Sequence, residues 1–264
     1  MRAIINGWAI SCNSYGAKSG LPVVFIHGFP FSQEMWKPQV AALSPQFLVV
    51  TYDVRGHGGT EVGDGQYTLE FFLDDFLGLL DHLRIEKAVA VGLSMGGYIA
   101  LRAIERNPER FRALVLCDTR SEADTDETKL KRTSSIKLVK QEGVKKFAEG
   151  FVKSVFAPQT LEGKPGTVKL IHEIIERMSP LAIAGTLLAL AARTDTTASL
   201  PKIKVPTLIL VGESDTLTPV PAAQSMHANI QGSELHVIPK AAHLSNLENP
   251  DEFNRLLLNF LRRL

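Results

Sequence analysis

Five short runs, residues 23–26, 48–50, 88–91, 113–116 and 207–211, are almost wholly apolar and show no alternation of polar with apolar positions. A strand with one face in water alternates, so these runs predict strands covered on both faces, the pattern of a parallel sheet between helix layers. The segments between them read as helices. From Thr68 to Arg84, Phe72, Phe76, Leu79 and Leu83 recur at helical spacing, and Phe253, Leu256, Leu257 and Phe260 repeat the device behind Pro250. Strands and helices in alternation define the α/β class. Asn6-Gly7 between residues 3–5 and 8–10 is a two-residue hairpin signal, because both positions of such a turn take positive φ. The sheet is therefore expected to begin with an antiparallel pair.

From residue 121 to 200 the strand-like runs stop, and helical stretches follow one another, separated by Gly143, Pro158, Gly163, Pro165 and Pro180. This predicts a core domain made of residues 1–120 and 201–264, with a helical cap, residues 121–200, inserted in it. Residues 181–190 are apolar nearly all round, so that helix needs cover on both sides and is placed to roof a pocket. The cap carries 12 Lys or Arg and 10 Asp or Glu, a balance that reads as solvated helix faces.

The 264 residues, 45% hydrophobic and 22% charged, are enough for a sizeable core. With 29 basic and 28 acidic side chains the net charge is +1, so no global field recruits nucleic acid or an anionic membrane. No window reaches the roughly 18 apolar residues of a membrane span, and residues 1–8 do not read as a secretory leader. The expectation is a soluble, cytoplasmic protein without nucleic-acid or membrane partners, its two cysteines, Cys12 and Cys117, being buried thiols.

Chemistry concentrates at Gly92-Leu93-Ser94-Met95-Gly96-Gly97, a G-x-S-x-G motif between the run 88–91 and a helix pattern that starts at Tyr98. Small residues around the serine let the chain turn sharply and expose Ser94 Oγ as a nucleophile. A hydroxyl needs a base, and the base needs an acid to orient it. Among seven histidines, His243 follows a strand-like run in a small-residue turn and precedes the last helix; loops at strand ends are where such folds place their chemistry. His57 reads as part of a turn, His82, His172 and His227 as helix-surface residues, and His236 as a strand residue. Asp215, just past the run 207–211, is the candidate acid, with Glu213 in the same loop and Asp118 at the end of the run 113–116 as alternatives. A tetrahedral intermediate requires fixed donors; the backbone N–H of Phe29, in His27-Gly28-Phe29-Pro30, and that of Met95 are the candidates. Phe31, Trp36 and Leu187 are candidate walls of a substrate pocket.

With His27-Gly28-Phe29, residues 53–58, the elbow at 92–97, Gly212-Glu213-Ser214-Asp215 and His243 in this order, the sequence resembles the α/β-hydrolase superfamily over essentially its whole length. Its elbow and the segment from His243 to Glu248 are most similar to those of bacterial carboxylesterases and 3-oxoadipate enol-lactonases. Ala242, where glycine is usual, and Gly59-Thr60 depart from the common pattern. The resemblance implies an eight-stranded, mostly parallel sheet with helices on both faces and a helical cap after the sixth strand. It also implies a triad in the chain order Ser94, Asp215, His243. Epoxide hydrolases and haloalkane dehalogenases of this fold use a carboxylate at the elbow, which Ser94 argues against. The expected activity is hydrolysis of a small-molecule ester through an acyl-enzyme, without metal or organic cofactor. A lactone such as 3-oxoadipate enol-lactone is the alternative substrate. Perhydrolysis, or a ligand-receptor role without catalysis, would use the same fold.

Overall fold

Asn6 and Gly7 both take positive φ, 51° and 83°, and reverse the chain in two residues. β1 (Arg2–Ile5) and β2 (Trp8–Tyr15) therefore pair antiparallel, with Ile5 opposite Trp8. The computed structural model describes residues 1–264. After the hairpin come β3 (Pro22–Ile26), α1 (Lys37–Leu43), β4 (Leu48–Tyr52), α2 (Leu69–His82), β5 (Ala88–Leu93), α3 (Met95–Arg106) and β6 (Phe111–Cys117). Four helices follow without an intervening strand: α4 (Asp126–Val155), α5 (Pro158–Gly163), α6 (Pro165–Glu176) and α7 (Pro180–Ala191). β7 (Thr207–Gly212), α8 (Val220–Asn229), β8 (Glu234–Ile238), α9 (Ser245–Glu248) and α10 (Pro250–Leu261) complete the chain.

The eight strands form one sheet in the order β1-β2-β4-β3-β5-β6-β7-β8. β3 to β8 are mutually parallel, and only the first two strands run against their neighbours. Lack of alternation was the correct signal: every residue of β5 and β7 is buried. From β3 the chain moves outward to β4 and then crosses back to β5 on the other side of β3. That reversal opens a crevice at the carboxyl ends of β3 and β5. The register sets Ile26 opposite Gly92, Leu93 opposite Cys117, and Gly212 opposite Ile238, so the loops after β3, β5, β6, β7 and β8 emerge along one edge.

The helices obey their apolar stripes. α2 is capped by the Thr68 hydroxyl, which accepts from the Phe71 N–H, and buries Phe72, Phe76 and Leu79 completely. α10 buries Phe253, Leu256, Leu257 and Phe260, each such side chain contributing about 2 kcal/mol. Between β6 and β7, α4 breaks at Gly143, whose φ of 87° no helix continues through. α7 is buried on most of its circumference, but Leu181 and Leu188 face outward at 49% and 59% exposure, so its cover is less complete than its composition predicts. It seats on the core at Gly185, where a Cβ would lie 2.1 Å from the Gly65 carbonyl oxygen. Cys12 and Cys117 are separate, buried thiols. No single helix is long and apolar enough to cross a membrane.

Candidate active site

β5 ends at Leu93 and α3 begins at Met95, leaving Ser94 alone to make the turn at φ 52°, ψ −113°. Such a conformation is costly for a residue with a side chain and persists only where the surroundings dictate it. Here they do. The Ser94 N–H donates to the Cys117 carbonyl and the Ser94 carbonyl accepts from the Thr119 hydroxyl. A Cβ on Gly96 would stand 2.1 Å from the Ile26 carbonyl oxygen, and one on Gly92 would stand 2.3 Å from that of Gly96. The glycines of the motif are thus required by backbone-to-backbone contact, which drives strand, turn and helix together and leaves Ser94 half-buried at the crevice.

The His243 imidazole reaches Ser94 from the loop after β8: Nε2 lies 2.9 Å from Ser94 Oγ, and Nδ1 lies 2.9 Å from Asp215 Oδ2. Asp215 also accepts from the backbone N–H groups of Leu217 and Thr218 and from the Thr218 hydroxyl, at 2.8, 3.0 and 2.6 Å. The carboxylate fixes the proton on Nδ1, so Nε2 is free to accept from the serine hydroxyl. Burial alone would lower the imidazole's affinity for a proton. The charge and hydrogen bond of Asp215 outweigh that, and His243 titrates above its ordinary range. For Asp215 burial works upward, but His243 and Thr218 hold its carboxyl below the usual value.

Of the two alternative acids, Glu213 is exposed and accepts from the Lys240 N–H. Asp118 is fully buried at a left-handed φ of 43° and braces both loops, accepting from the Gly212 N–H at 2.8 Å and meeting Ser245 Oγ at 2.5 Å. Burial and the charge of Asp215 push its carboxyl well above the normal range. Two adjacent buried carboxyls do not both ionise cheaply, and Asp215, with more donors, keeps the charge.

Phe29 and Met95 both border the cavity at Ser94. The Phe29 N–H has no acceptor within the protein, and that of Met95, first residue of α3, has no residue four positions back in its helix to bond. Gly28 brings the first amide close, since a Cβ there would lie 3.3 Å from the Ser94 Cβ. His27 is bracing: Nδ1 bonds the Gly28 carbonyl and Nε2 accepts from the Val54 N–H, each at 2.9 Å. Burial lowers His27 to about 4 and His57, its neighbour at 5.1 Å between ring centres, to about 3. The buried Glu248 carboxylate accepts from the N–H of Ala242 at 2.7 Å and of Ala157, just past α4, at 2.8 Å, tying the histidine loop to the helical segment. The His243 N–H itself donates to the Val155 carbonyl at the end of α4.

The cavity over Ser94 holds about 220 Å³. Leu187 lines it, with Tyr98, Phe147, Phe151 and Leu190. Two expected wall residues do not. Phe31 is fully buried one layer behind, its ring 6.1 Å from that of Phe151. Trp36 is a core residue, 4.8 Å from Phe25 and 6.4 Å from Phe253. An aromatic side chain near a motif packs equally well into the core, and only the layer order separates the cases. The sequence reading missed Tyr98, Phe147 and Phe151, and also the α4 face of Thr128, Lys131, Arg132 and Ser135, which borders the cavity. The signal for that face was its spacing of three, four and seven, masked by its resemblance to a solvated surface. A larger cleft of about 580 Å³ beside Gln33, Asp53 and Arg177 contains neither Ser94 nor His243.

The alpha/beta hydrolase family sequence model matches residues 23–256. A 3-oxoadipate enol-lactonase of Acinetobacter baylyi is 30% identical across 97% of this chain and 94% of its own. A thermophilic esterase from Thermogutta terrifontis superposes with a TM-score of 0.95 at 34% identity, covering 100% of this chain and 98% of that one. The enol-lactonase of Burkholderia xenovorans does so at 0.93 and 30% identity, covering 99% and 100%. A sheet with this strand order, a serine at a strained strand-to-helix turn and a family match across nearly the whole sequence have one reading in common: the chain belongs to the alpha/beta hydrolase family.

Proposed function

We propose that the protein hydrolyses small carboxylic esters through an acyl-enzyme, with Ser94 as nucleophile, His243 as general base and Asp215 as the residue that orients it. The observation that carries the reading is the unbroken chain of 2.9 Å contacts from Ser94 Oγ through the imidazole to Asp215. Ser94 Oγ bonds to the acyl carbon while its proton passes to His243 Nε2; the same proton then leaves with the alcohol as the ester bond breaks. Water, deprotonated by His243, attacks the acyl-enzyme, and the carboxylic acid departs as Ser94 recovers its proton. The Phe29 and Met95 amides stabilise the oxyanion, a contribution of about 3 kcal/mol for each well-placed donor. No step calls on a cofactor. The four-helix segment acts as a cap whose α4 and α7 side chains form the upper wall. A cyclic ester fits the same sequence of steps, and the enol-lactonases among the relatives favour a lactone as the second reading.

Release of nitrophenol from short-chain nitrophenyl esters by the wild type, its loss in Ser94→Ala, and a single organophosphate adduct on Ser94 in intact-mass analysis are the expected results. Undiminished hydrolysis by Ser94→Ala would remove the nucleophile and the reading with it.

A further inference from the structure

The loop that carries His243 and the end of α4 cap each other. We propose that Glu248 is a positioning residue for the hydrolysis, an ionised carboxylate that holds His243 in register with the half of α4 that walls the cavity. The inference rests on the reading of His243 as the base for Ser94.

Gly143 divides α4, and the half behind it presents Phe147 and Phe151 to the cavity, four residues apart on one face. Val155 continues that row and ends the helix, where a carbonyl finds no donor in a following turn. The donor it meets instead is the N–H of His243, at 3.1 Å. Two residues on, the Ala157 N–H donates to Glu248 Oε2 at 2.8 Å, while Glu248 Oε1 accepts from the N–H of Ala242, directly before the base, at 2.7 Å. The Lys164 ammonium, between α5 and α6, donates to the Glu248 carbonyl at 2.7 Å. One carboxylate thus clamps backbone on both sides of the joint, and a shift of either segment strains it.

A carboxylate suits this place as no neutral side chain of its size does. It accepts at both oxygens and donates at neither, whereas an amide of the same shape would set an NH2 against one of the two N–H groups. Glu248 is buried, and a buried charge is tolerated where its hydrogen bonds are complete. The charge has a second consequence. Burial lowers the proton affinity of the His243 imidazole, and Asp215, Asp118 and Glu248 raise it. On the cavity side the charged groups are Lys131 and Arg132, each already paired with a carboxylate, Glu127 and Asp124. His243 becomes an imidazolium as Ser94 attacks, and the Glu248 charge favours that form.

The test is hydrolysis of 4-nitrophenyl acetate from pH 5 to 8, with kcat and KM determined separately. Glu248→Gln should lower kcat about tenfold or more with KM within about threefold, the signature of a misplaced base. It should also move the acid limb of kcat/KM to lower pH by about half a unit, because the base of the free enzyme loses a negative neighbour. Glu248→Asp keeps the charge but is one methylene too short to span both amides; kcat should fall comparably while the limb stays at its wild-type position. A residue serving stability alone would lower the melting temperature in both variants and leave the limb in place. An unmoved limb in Glu248→Gln, or wild-type kcat in Glu248→Asp, therefore overturns the proposal. Where Glu248→Gln fails to fold, the kcat of Glu248→Asp decides. Ser94→Ala in the same assay separates the two levels. Turnover persisting there refutes the reading of Ser94 and His243, whereas a dead Ser94→Ala beside Glu248 variants with wild-type kcat and limb refutes only the positioning role.

Discussion

The loops at the carboxyl edge of the sheet and the helical segment between β6 and β7 face each other across one cavity, yet they are built to different tolerances. On the sheet side, glycines sit where backbone meets backbone: a Cβ would stand 2.1 Å from a carbonyl oxygen at Gly96 and 2.0 Å at Gly212. In the helical segment, Gly143, Gly150, Gly163 and Gly166 have nothing within 4 Å, and only Gly185 is packed against the core. The side that would carry the chemistry is fixed by backbone-to-backbone contacts that cannot relax, while the side that would meet the substrate packs through side chains, such as Phe147, Val152 and Ile175, that substitution can reshape. A family can therefore keep one reaction geometry and change what it acts on. The names of the relatives, esterase and enol-lactonase, vary accordingly.

That contrast can be broken at several points. The largest effect should come from the carboxyl that orients His243. Asp215→Asn is expected to lower kcat by about four orders of magnitude through loss of tautomer control. Asp118→Asn keeps an acceptor for Gly212 and a partner for Ser245, and should stay within about tenfold. If steady-state kinetics gave the reverse, the orienting role would pass to Asp118.

Acid should loosen the sheet side first. His27 and His57, held near 4 and 3, are neutral when folded, whereas in the unfolded chain they titrate near the ordinary 6.5. Between pH 6.5 and about 4 the unfolded state therefore binds protons that the folded state refuses. Stability is fully present above that window and falls by a few kcal/mol as pH drops through it, since each tenfold difference in proton affinity between the two states is worth about 1.4 kcal/mol. Chemical denaturation at pH 7, 5.5 and 4.5 should record the fall, and His57→Asn should flatten it. A wild-type profile level over that range would mean that the two rings are protonated in the fold.

The glycines give the last comparison, with opposite signs. Gly96→Ala must displace the Ile26 carbonyl and should cost about 3 kcal/mol, the upper range for overpacking, together with most activity. Gly150→Ala, in the second half of α4, should raise stability by up to about 1 kcal/mol through helix propensity. Equilibrium unfolding measures both, and a tolerated Gly96→Ala would erase the difference in tolerance between the two sides.

Much of this is legible in the sequence. Apolar runs without alternation marked the parallel strands, Asn6-Gly7 the hairpin, and Gly92 to Gly97 the turn that presents Ser94, because each depends on neighbours in sequence. The acid was legible through the chain order of the triad, which pointed to Asp215, and not through local chemistry. Asp118, Glu213 and Asp215 all follow buried strands, and which of them reaches the imidazole depends on how the loops after β6, β7 and β8 lie across one another. Trp36 and Phe31 look like pocket residues by composition and are core by layer. Arg132 looks like a solvated charge and borders the cavity, since a helix face acquires its surroundings only when the rest of the chain packs against it. The order of residues determined the elements, the strained turn and the set of reactive groups, all of them consequences of local backbone and side-chain chemistry. Packing decided which aromatic rings and which cations border the cavity at Ser94, and it brought Asp215 and His243 together there, because contacts between residues dozens of positions apart are set by the assembled fold and by no local rule.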